Sequence, residues 1–379
     1  MKTFERRLFI FFLLCCSTSS PALAANFFES DAAVSFRLEA PFNQLRSQRG
    51  IKTKELAAKV YYQTDQGIEK ALSVKVEARG DFRRKRSTCY FLPYWINFKK
   101  SEVKNTPFAG FDRVKVVPHC NHGWTTYEPY MYTEYLCYKT YNILTDLSFR
   151  VRLSRIDYIN TDKKKNREEG VFGAFFIEHS NSVEKRLSAE QVKDRFVLPS
   201  RYDVRKLCIA EMFQFFIGNT DFSFFASEDE CCHNAKTFDP GAGGDGLIPF
   251  PYDFDMSGIV NAPYAKPNPN FPIMSNKHRL YRGVEVDADV WSETIMLYFE
   301  KRDEIYALWE TFEPLEPEFR AKALDFIDEF YRIFDSREKS KLPFIAEMRS
   351  FKVVERSIQK DIDKQEKREA RKALKAKGR

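Results

Sequence analysis

Residues 215–258 read FFIGNTDFSFFASEDECCHNAKTFDPGAGGDGLIPFPYDFDMSG, and this stretch decides the fold and the site of the chain. A strongly apolar helix ends at Asn219 and Asp221, Asn234 follows after a loop, and a Pro-rich strand ends at Asp253 and Asp255. Asp and Asn suit a packed core poorly, so polar groups at the ends of apolar elements are expected to share a cleft. Carboxylate and amide oxygens of this kind hold Mg²⁺ or Mn²⁺ on nucleotide phosphates.

The same residues have a simpler interpretation. Asn219 and Asp221 would cap helix ends, and Asp253 and Asp255 would form a turn after the strand. Their order along the chain nevertheless favours the shared cleft. An Asp, then an Asn, then a strand that ends in Asp-Phe-Asp is the order in which protein-kinase-like folds present a catalytic base and two metal ligands.

The chain has 379 residues, of which 43% are hydrophobic and 15% aromatic, enough for one large or two ordinary globular domains. Residues 1–24 are typical of a signal peptide, because basic residues precede an apolar run over 8–16. Ala22-Leu23-Ala24 then forms a small-x-small motif that predicts cleavage before Ala25. We therefore predict export to the periplasm or the extracellular space. No later stretch is apolar over the ~18 residues that a membrane span requires.

Export changes the interpretation of the cysteines, because an oxidising compartment permits disulfides. Cys89 opens one strand-like run and Cys120 closes the next, which predicts a disulfide between them. Cys137 and Cys208 lie in helical patterns and are predicted to be buried apolar groups. The adjacent 231–232 cysteine pair with His233 is an alternative zinc site, and a lipid anchor at 15–16 is an alternative to simple cleavage.

The formal charge of +7 is concentrated at the ends of the chain. The signal peptide carries about +2, and residues 350–379 carry eleven bases and five acids, so the body between them is near neutral. Basicity is therefore a property of the tail, and we predict no nucleic-acid partner for the protein. The tail itself is predicted to be a solvated helix or disordered.

The N-terminal half alternates apolar and polar residues and is predicted to form an antiparallel sheet. Its strands are 34–38, 56–62, 74–78, 94–99, 113–117, 149–160 and 171–178. The loop 79–86 holds five bases, including Arg79, and suits a phosphate group, although a solvated loop is an equal alternative. Lys99 and Lys115 on the next two strands could each reach a nucleotide.

The remaining elements are predicted to be helical, with the exception of the loops around the quoted stretch. They are a helix over 130–144, a helix over 203–217 that is apolar on nearly all sides, and amphipathic helices over 291–309 and 318–334. This divides the chain into a β-rich part at 25–180, a helical part at 181–350 and a basic tail at 351–379.

The motifs resemble those of the spore-coat CotH kinase-like family over roughly residues 73–285. The resemblance rests on Arg79-Gly80-Asp81, on Gly170-Val171-Phe172-Gly173 leading to Glu178, on Ile217-Gly218-Asn219-Thr220-Asp221, on His233-Asn234 and on Pro251-Tyr252-Asp253-Phe254-Asp255. Each motif is short, but their order is specific. The resemblance implies a two-lobed α+β fold of the protein-kinase type that transfers phosphate from ATP to exported proteins.

The resemblance also implies a role for each site residue. Asp221 would be the catalytic aspartate, Asn234 and Asp253 would hold Mg²⁺ or Mn²⁺, and Asp255 would be a second ligand. In a fold of this kind Glu134 on the 130–144 helix would pair with the nucleotide lysine, or else would be an ordinary surface glutamate. Arg79 and Glu178 would be further cofactor-binding residues.

The chain departs from the family pattern after the Arg79 loop. Cys89 and Tyr90 stand where the family has lysines, so the base that contacts the nucleotide is left open. Two other functions therefore stay open: a pseudokinase that binds nucleotide or a partner without turnover, and a metal-dependent phosphoesterase.

Overall fold

A computed structural model describes residues 27–49, 52–121, 127–162, 167–226, 233–335 and 349–377; the predicted signal peptide lies outside them. The strands are β1 Val34–Ala40, β2 Leu56–Gln63, β3 Glu69–Ala78, β4 Tyr94–Asn97, β5 Arg113–Pro118, β6 Val151–Asn160, β7 Arg167–Ile177, β8 Glu190–Gln191, β9 Ala235–Asp239 and β10 Ile248–Pro251. The α-helices are α1 Phe42–Ser47, α2 Glu128–Leu144, α3 Ser180–Leu187, α4 Val204–Phe216, α5 Ala288–Glu300, α6 Arg302–Thr311, α7 Pro317–Asp335 and α8 Phe351–Lys377.

The N-terminal part is a closed seven-stranded barrel in the order β1-β2-β3-β4-β5-β7-β6. The predicted antiparallel sheet is therefore corrected to a mixed barrel, because β1 pairs with β6 in parallel from Val34 opposite Ser154 to Ala40 opposite Asn160. Alternation along each strand cannot reveal this pairing, since β1 and β6 are distant in sequence. Each strand of the barrel therefore has a neighbour on both sides for at least part of its length.

The two faces of the barrel wall belong to different cores. Val114, Val116 and Phe176 pack inside the barrel, whereas Val117 and Phe175 pack against the helical part of the chain. This follows from the period of two along a strand, which sends neighbouring residues to opposite faces. The wall of β5 and β7 is thus the surface on which the two parts meet.

The helical part packs around α4, which is buried on nearly all sides, as predicted. The predicted single helix over 291–309 is instead α5 and α6, which break at Lys301. The break lets α6 turn Trp309 towards α2, where its indole N–H donates to Thr140 at 3.0 Å. No helix in the described ranges is long and apolar enough to cross a membrane.

The predicted disulfide is confirmed: Cys89 and Cys120 are bonded with their Cα atoms 4.8 Å apart. Cys137 and Cys208 are buried free thiols, also as predicted. The bridge joins the segment before β4 to the segment after β5, and the two segments also share main-chain hydrogen bonds from Tyr90 and Phe91 to the carbonyl of Cys120.

Removal of this disulfide is expected to destabilise the protein. The bond closes a loop of 31 residues, so the variant Cys89→Ser/Cys120→Ser should lose about 3–4 kcal/mol of unfolding free energy. Urea denaturation of the variant and of oxidised wild type measures the change, and reduced wild type should unfold like the variant. An unchanged midpoint would show that the bridge does not constrain the unfolded chain.

Candidate active site

Three chain segments meet where the quoted stretch leaves its apolar elements. In the β9–β10 pair Ala235 lies opposite Pro251. The pairing extends one residue further, because the N–H of Tyr252 donates to the carbonyl of Asn234 at 3.0 Å. The N–H of Ser223 donates to the carbonyl of His233 at 2.9 Å. The segments that carry Asp221, Asn234 and Asp253 are therefore neighbours through the backbone alone.

A second pair of backbone bonds ties the loop after α4 to the segment after β10. Gly258 N–H donates to the Gly218 carbonyl at 3.0 Å, and Ile259 N–H donates to the Ile217 carbonyl at 3.1 Å. A Cβ atom on Gly218 would lie 2.8 Å from the Phe326 ring, and one on Gly258 would lie 2.4 Å from a carbonyl oxygen. Glycine is required at both positions because the Phe326 ring and the Asn276 carbonyl lie so close to them.

Asp221 is oriented by hydrogen bonds to its side chain and its main chain. One carboxylate oxygen lies 2.9 Å from His233 Nε2, and the other accepts from the Asn234 amide at 3.0 Å. Its backbone N–H donates to Asn219 Oδ1 at 2.9 Å, and the Asn219 amide in turn donates to Gln214 on α4. The hydrogen bond to Asp221 raises the pKa of His233 above its usual value, although burial opposes the shift.

Asp253 has a different environment from Asp221. Its φ is +64° and that of Asn234 is +49°, a left-handed conformation that non-glycine residues seldom adopt outside turns and functional sites. Its backbone N–H donates to the Tyr138 hydroxyl on α2 at 2.8 Å, while Phe254 is buried against Tyr138 and Phe213. Within the described ranges the Asp253 carboxylate has no hydrogen-bond or ion-pair partner, so it is available to a ligand.

Asp255 belongs to a buried charged group at the floor of the site. The Tyr264 hydroxyl donates to it at 3.0 Å, and Arg83 forms an ion pair with Glu134 at 3.3 Å. Burial and the charge of Asp253 raise the pKa of Asp255 to about 7. Burial also raises the pKa of Glu134 well above its usual value, which Arg83 offsets only in part.

The base that pairs with Glu134 is Arg83, where a lysine was expected. Lys99 lies beyond the end of β4 on an exposed turn and pairs with Glu102 at 2.7 Å. Lys115 has no acidic partner in the described part of the chain. The sequence pattern could not distinguish Arg83 from the other bases of the 79–86 loop, because only the fold directs its side chain inward.

Lys115 projects from β5 towards the helical part and is buried among aromatic rings. Its ammonium group lies 5.8, 5.3 and 5.3 Å from the ring centroids of Trp95, Phe149 and Tyr252. Burial, together with the charges of Arg79 and Lys236, lowers the pKa of Lys115 to about 7, and Asp253 opposes this shift. Of the two candidate lysines, Lys115 is thus the buried one, and the charge of Asp253 acts on it.

The two remaining candidates differ in availability. Arg79 lies with its guanidinium 5.5 Å from the Trp95 ring centroid, close enough for its charge to act on Lys115. The buried Glu178 carboxylate is held by Arg186 at 2.8 Å and accepts the backbone N–H of Arg150 at 3.2 Å. Glu178 therefore joins β7 to α3, and its side chain is engaged within the protein.

Arg282 is a residue of the site that the sequence pattern did not indicate. Its guanidinium donates to the carbonyls of Thr220 and Phe222 at 2.5 and 2.7 Å, on either side of Asp221. It also lies over the rings of Phe222 and Phe271. Arg282 thus holds the loop that orients Asp221.

The donor set fits a hard divalent cation that shares its coordination with phosphate. Among the described residues no three His, Cys, Asp or Glu side chains form a complete metal site. Mg²⁺, however, is usually held by one or two carboxylates together with substrate phosphates and water. The unpartnered carboxylate of Asp253 and the Oδ1 atom of Asn234, whose amide nitrogen is bonded to Asp221, supply such ligands. The cysteine pair of the alternative zinc site lies outside the described residues.

No matching family or curated protein adds evidence about this site. Compared with known protein families and with curated proteins, the chain matches none.

Proposed function

We propose that this protein is a kinase-like phosphotransferase that uses ATP with Mg²⁺ or Mn²⁺ and phosphorylates exported proteins. The observation that carries the proposal is the burial of Lys115 on the barrel wall, where the charge of Asp253 acts on it, together with the hydrogen bond between Asp221 and Asn234. A buried base close to a carboxylate suits a polyphosphate bridged to a cation. The predicted signal peptide supports action outside the cytoplasm.

The nucleotide would lie against the outer wall of the barrel. The adenine ring would pack beside Lys115 on the rings of Trp95 and His179, whose centroids are 5.5 Å apart. Lys115 and Arg79 would contact the phosphate oxygens, and Asp253 with Asn234 would hold the cation. The cation supplies charge neutralisation on the phosphates.

Asp221 would act on the acceptor hydroxyl. It accepts the hydroxyl proton as the oxygen–phosphorus bond forms, and ADP leaves with the bond to the terminal phosphorus broken. Arg282 and Asn219 hold the loop and the backbone of Asp221, so its carboxylate is already oriented before the acceptor binds. Catalysis of this kind depends chiefly on positioning.

A second function, phosphoester hydrolysis, is favoured by the contact between His233 and Asp221. A histidine bonded to a carboxylate can remove a proton from water, which would then attack the phosphoester in place of a protein hydroxyl. His233→Gln should abolish hydrolysis under this alternative. Under the kinase proposal it should reduce transfer only modestly, because Asp221 takes the proton itself.

Two measurements test the proposal in sequence. In a thermal-shift experiment ATP with Mn²⁺ should raise the melting temperature of the protein, and ATP with a chelator should raise it less. Radiolabelled ATP should then transfer its terminal phosphate to exported proteins or to the protein itself. Binding without transfer would indicate a pseudokinase, and release of phosphate without transfer would indicate a hydrolase.

A further inference from the structure

The C-terminal helix α8 leaves the body of the protein after its first turns. Val354 is buried, Ile358 packs against the main core, and Glu355 is hydrogen-bonded to Ser200. From residue 366 to residue 374 every side chain is exposed. These residues make about 14 Å of helix that extends beyond the domain.

Six of the basic residues of α8 lie on one side of the helix. At 100° per residue, they fall within an arc of about 140°: Lys360, Lys364, Lys367, Arg368, Arg371 and Lys372. Glu366 and Glu369 lie on the opposite side. Asp361 pairs with Lys364 at 3.1 Å, but the four bases from 367 to 372 have no acidic partner in the described ranges.

We propose that this basic stripe docks α8 on an anionic phospholipid surface. Beyond Ile362 the helix is charged and carries only alanines and Leu374 as apolar residues, so its projecting part would lie on headgroups without inserting into the bilayer. Several like charges on one face of a free helix repel one another, and an anionic surface relieves that repulsion. The predicted export would bring the helix to the outer side of a membrane.

A phospholipid is favoured over nucleic acid by the composition of the helix. Its distal turns, from residue 359 onward, contain no aromatic side chain on which a base could stack. Each Lys or Arg close to an anionic membrane contributes about fivefold in affinity. Four unpaired bases would then contribute roughly several hundredfold together.

Vesicle sedimentation with the chain from residue 25 tests the proposal. The chain should bind phosphatidylglycerol vesicles at low salt, bind phosphatidylcholine vesicles weakly, and dissociate at high salt. Changing Lys367, Arg368, Arg371 and Lys372 to Gln, which keeps helix propensity, should weaken binding by roughly several hundredfold. Glu366→Gln/Glu369→Gln, on the opposite face, should change binding by less than about twofold.

A matched control removes the same charge elsewhere. Lys52, Lys59, Lys70 and Lys104 are exposed bases of the barrel, and their change to Gln should leave vesicle binding nearly intact. Equal loss in this control would overturn the proposal, since net charge alone would then explain binding. Failure of the wild type to bind phosphatidylglycerol, or tighter binding to DNA than to vesicles at matched salt, would overturn it as well.

Discussion

Asp253→Ala is expected to abolish the cation-dependent part of ATP binding. Asp221→Asn, in contrast, should bind ATP within about twofold of wild type, but its rate of phosphate transfer should fall by about 10²–10⁴-fold. The Asp253 carboxylate is free to contact a cation on the phosphates, in the ground state and the transition state alike. Asp221 already bonds His233 and Asn234, and it acts on the acceptor chiefly in the transition state. Calorimetric titration with ATP, with and without Mg²⁺, and a single-turnover assay measure the two effects.

An exposed acid in the turn between β9 and β10 provides the control for this pair. Asp245→Ala removes the same charge from the same hairpin at a distance from the site, and both activities should be unchanged. If Asp253→Ala retained full Mg²⁺-dependent binding, the cation would lie elsewhere. If wild type and both variants bound ATP equally and none transferred phosphate, the site would be structural.

Lys115→Met should weaken ATP binding by about 10–100-fold and at the same time stabilise the protein. The loss corresponds to one charge-assisted contact with phosphate. The gain arises because Lys115 buries a charge among rings with no acidic partner in the described part of the chain, and methionine fills similar space at no such cost. A stabilisation of at least ~1 kcal/mol is expected near pH 6, measured by urea denaturation.

The pH dependence of both effects has a definite sign. The pKa of Lys115 is about 7 in the folded state, against 10.5 as its ordinary value, so the folded state binds fewer protons between these values. The destabilisation by Lys115 is therefore fully present below pH 7 and is relieved as pH rises from 7 towards 10.5. ATP requires the charged form, so wild-type affinity should fall by up to about tenfold per pH unit above pH 7.

Lys115→Met provides the reference for this dependence, because it retains every other titrating group, including those of ATP. The difference between wild type and variant should shrink as pH rises above 7. A constant difference, or equal affinity of the two proteins at pH 7, would show that Lys115 does not contact the phosphates.

The local pattern predicted most of the elements of the fold, including the apolar α4 and the strands of the N-terminal part. It also predicted the Cys89–Cys120 disulfide, since both residues flank neighbouring strands. It did not predict the parallel pairing of β1 with β6 or the break at Lys301. The first depends on closure of the barrel between distant strands, and the second depends on how α6 reaches α2.

The candidate site divides in the same way. The positions of Asp221, Asn234 and Asp253 at the ends of apolar elements are local facts, and the chain order alone indicated that they would meet. The partner of Glu134 and the choice between Lys99 and Lys115 are not local facts. Lys99 falls outside β4 on an exposed turn, whereas Lys115 lies on the outer face of β5.

The sequence by itself determined which residues carry charge and where each apolar element ends, because both follow from composition and period. Only the tertiary structure decided that Arg83 is directed inward to Glu134, that Arg282 holds the loop of Asp221 and that Lys115 is buried. The physical reason is that a base in a loop or on a strand has no intrinsic preference for its partner. Burial and the packing of distant segments select that partner.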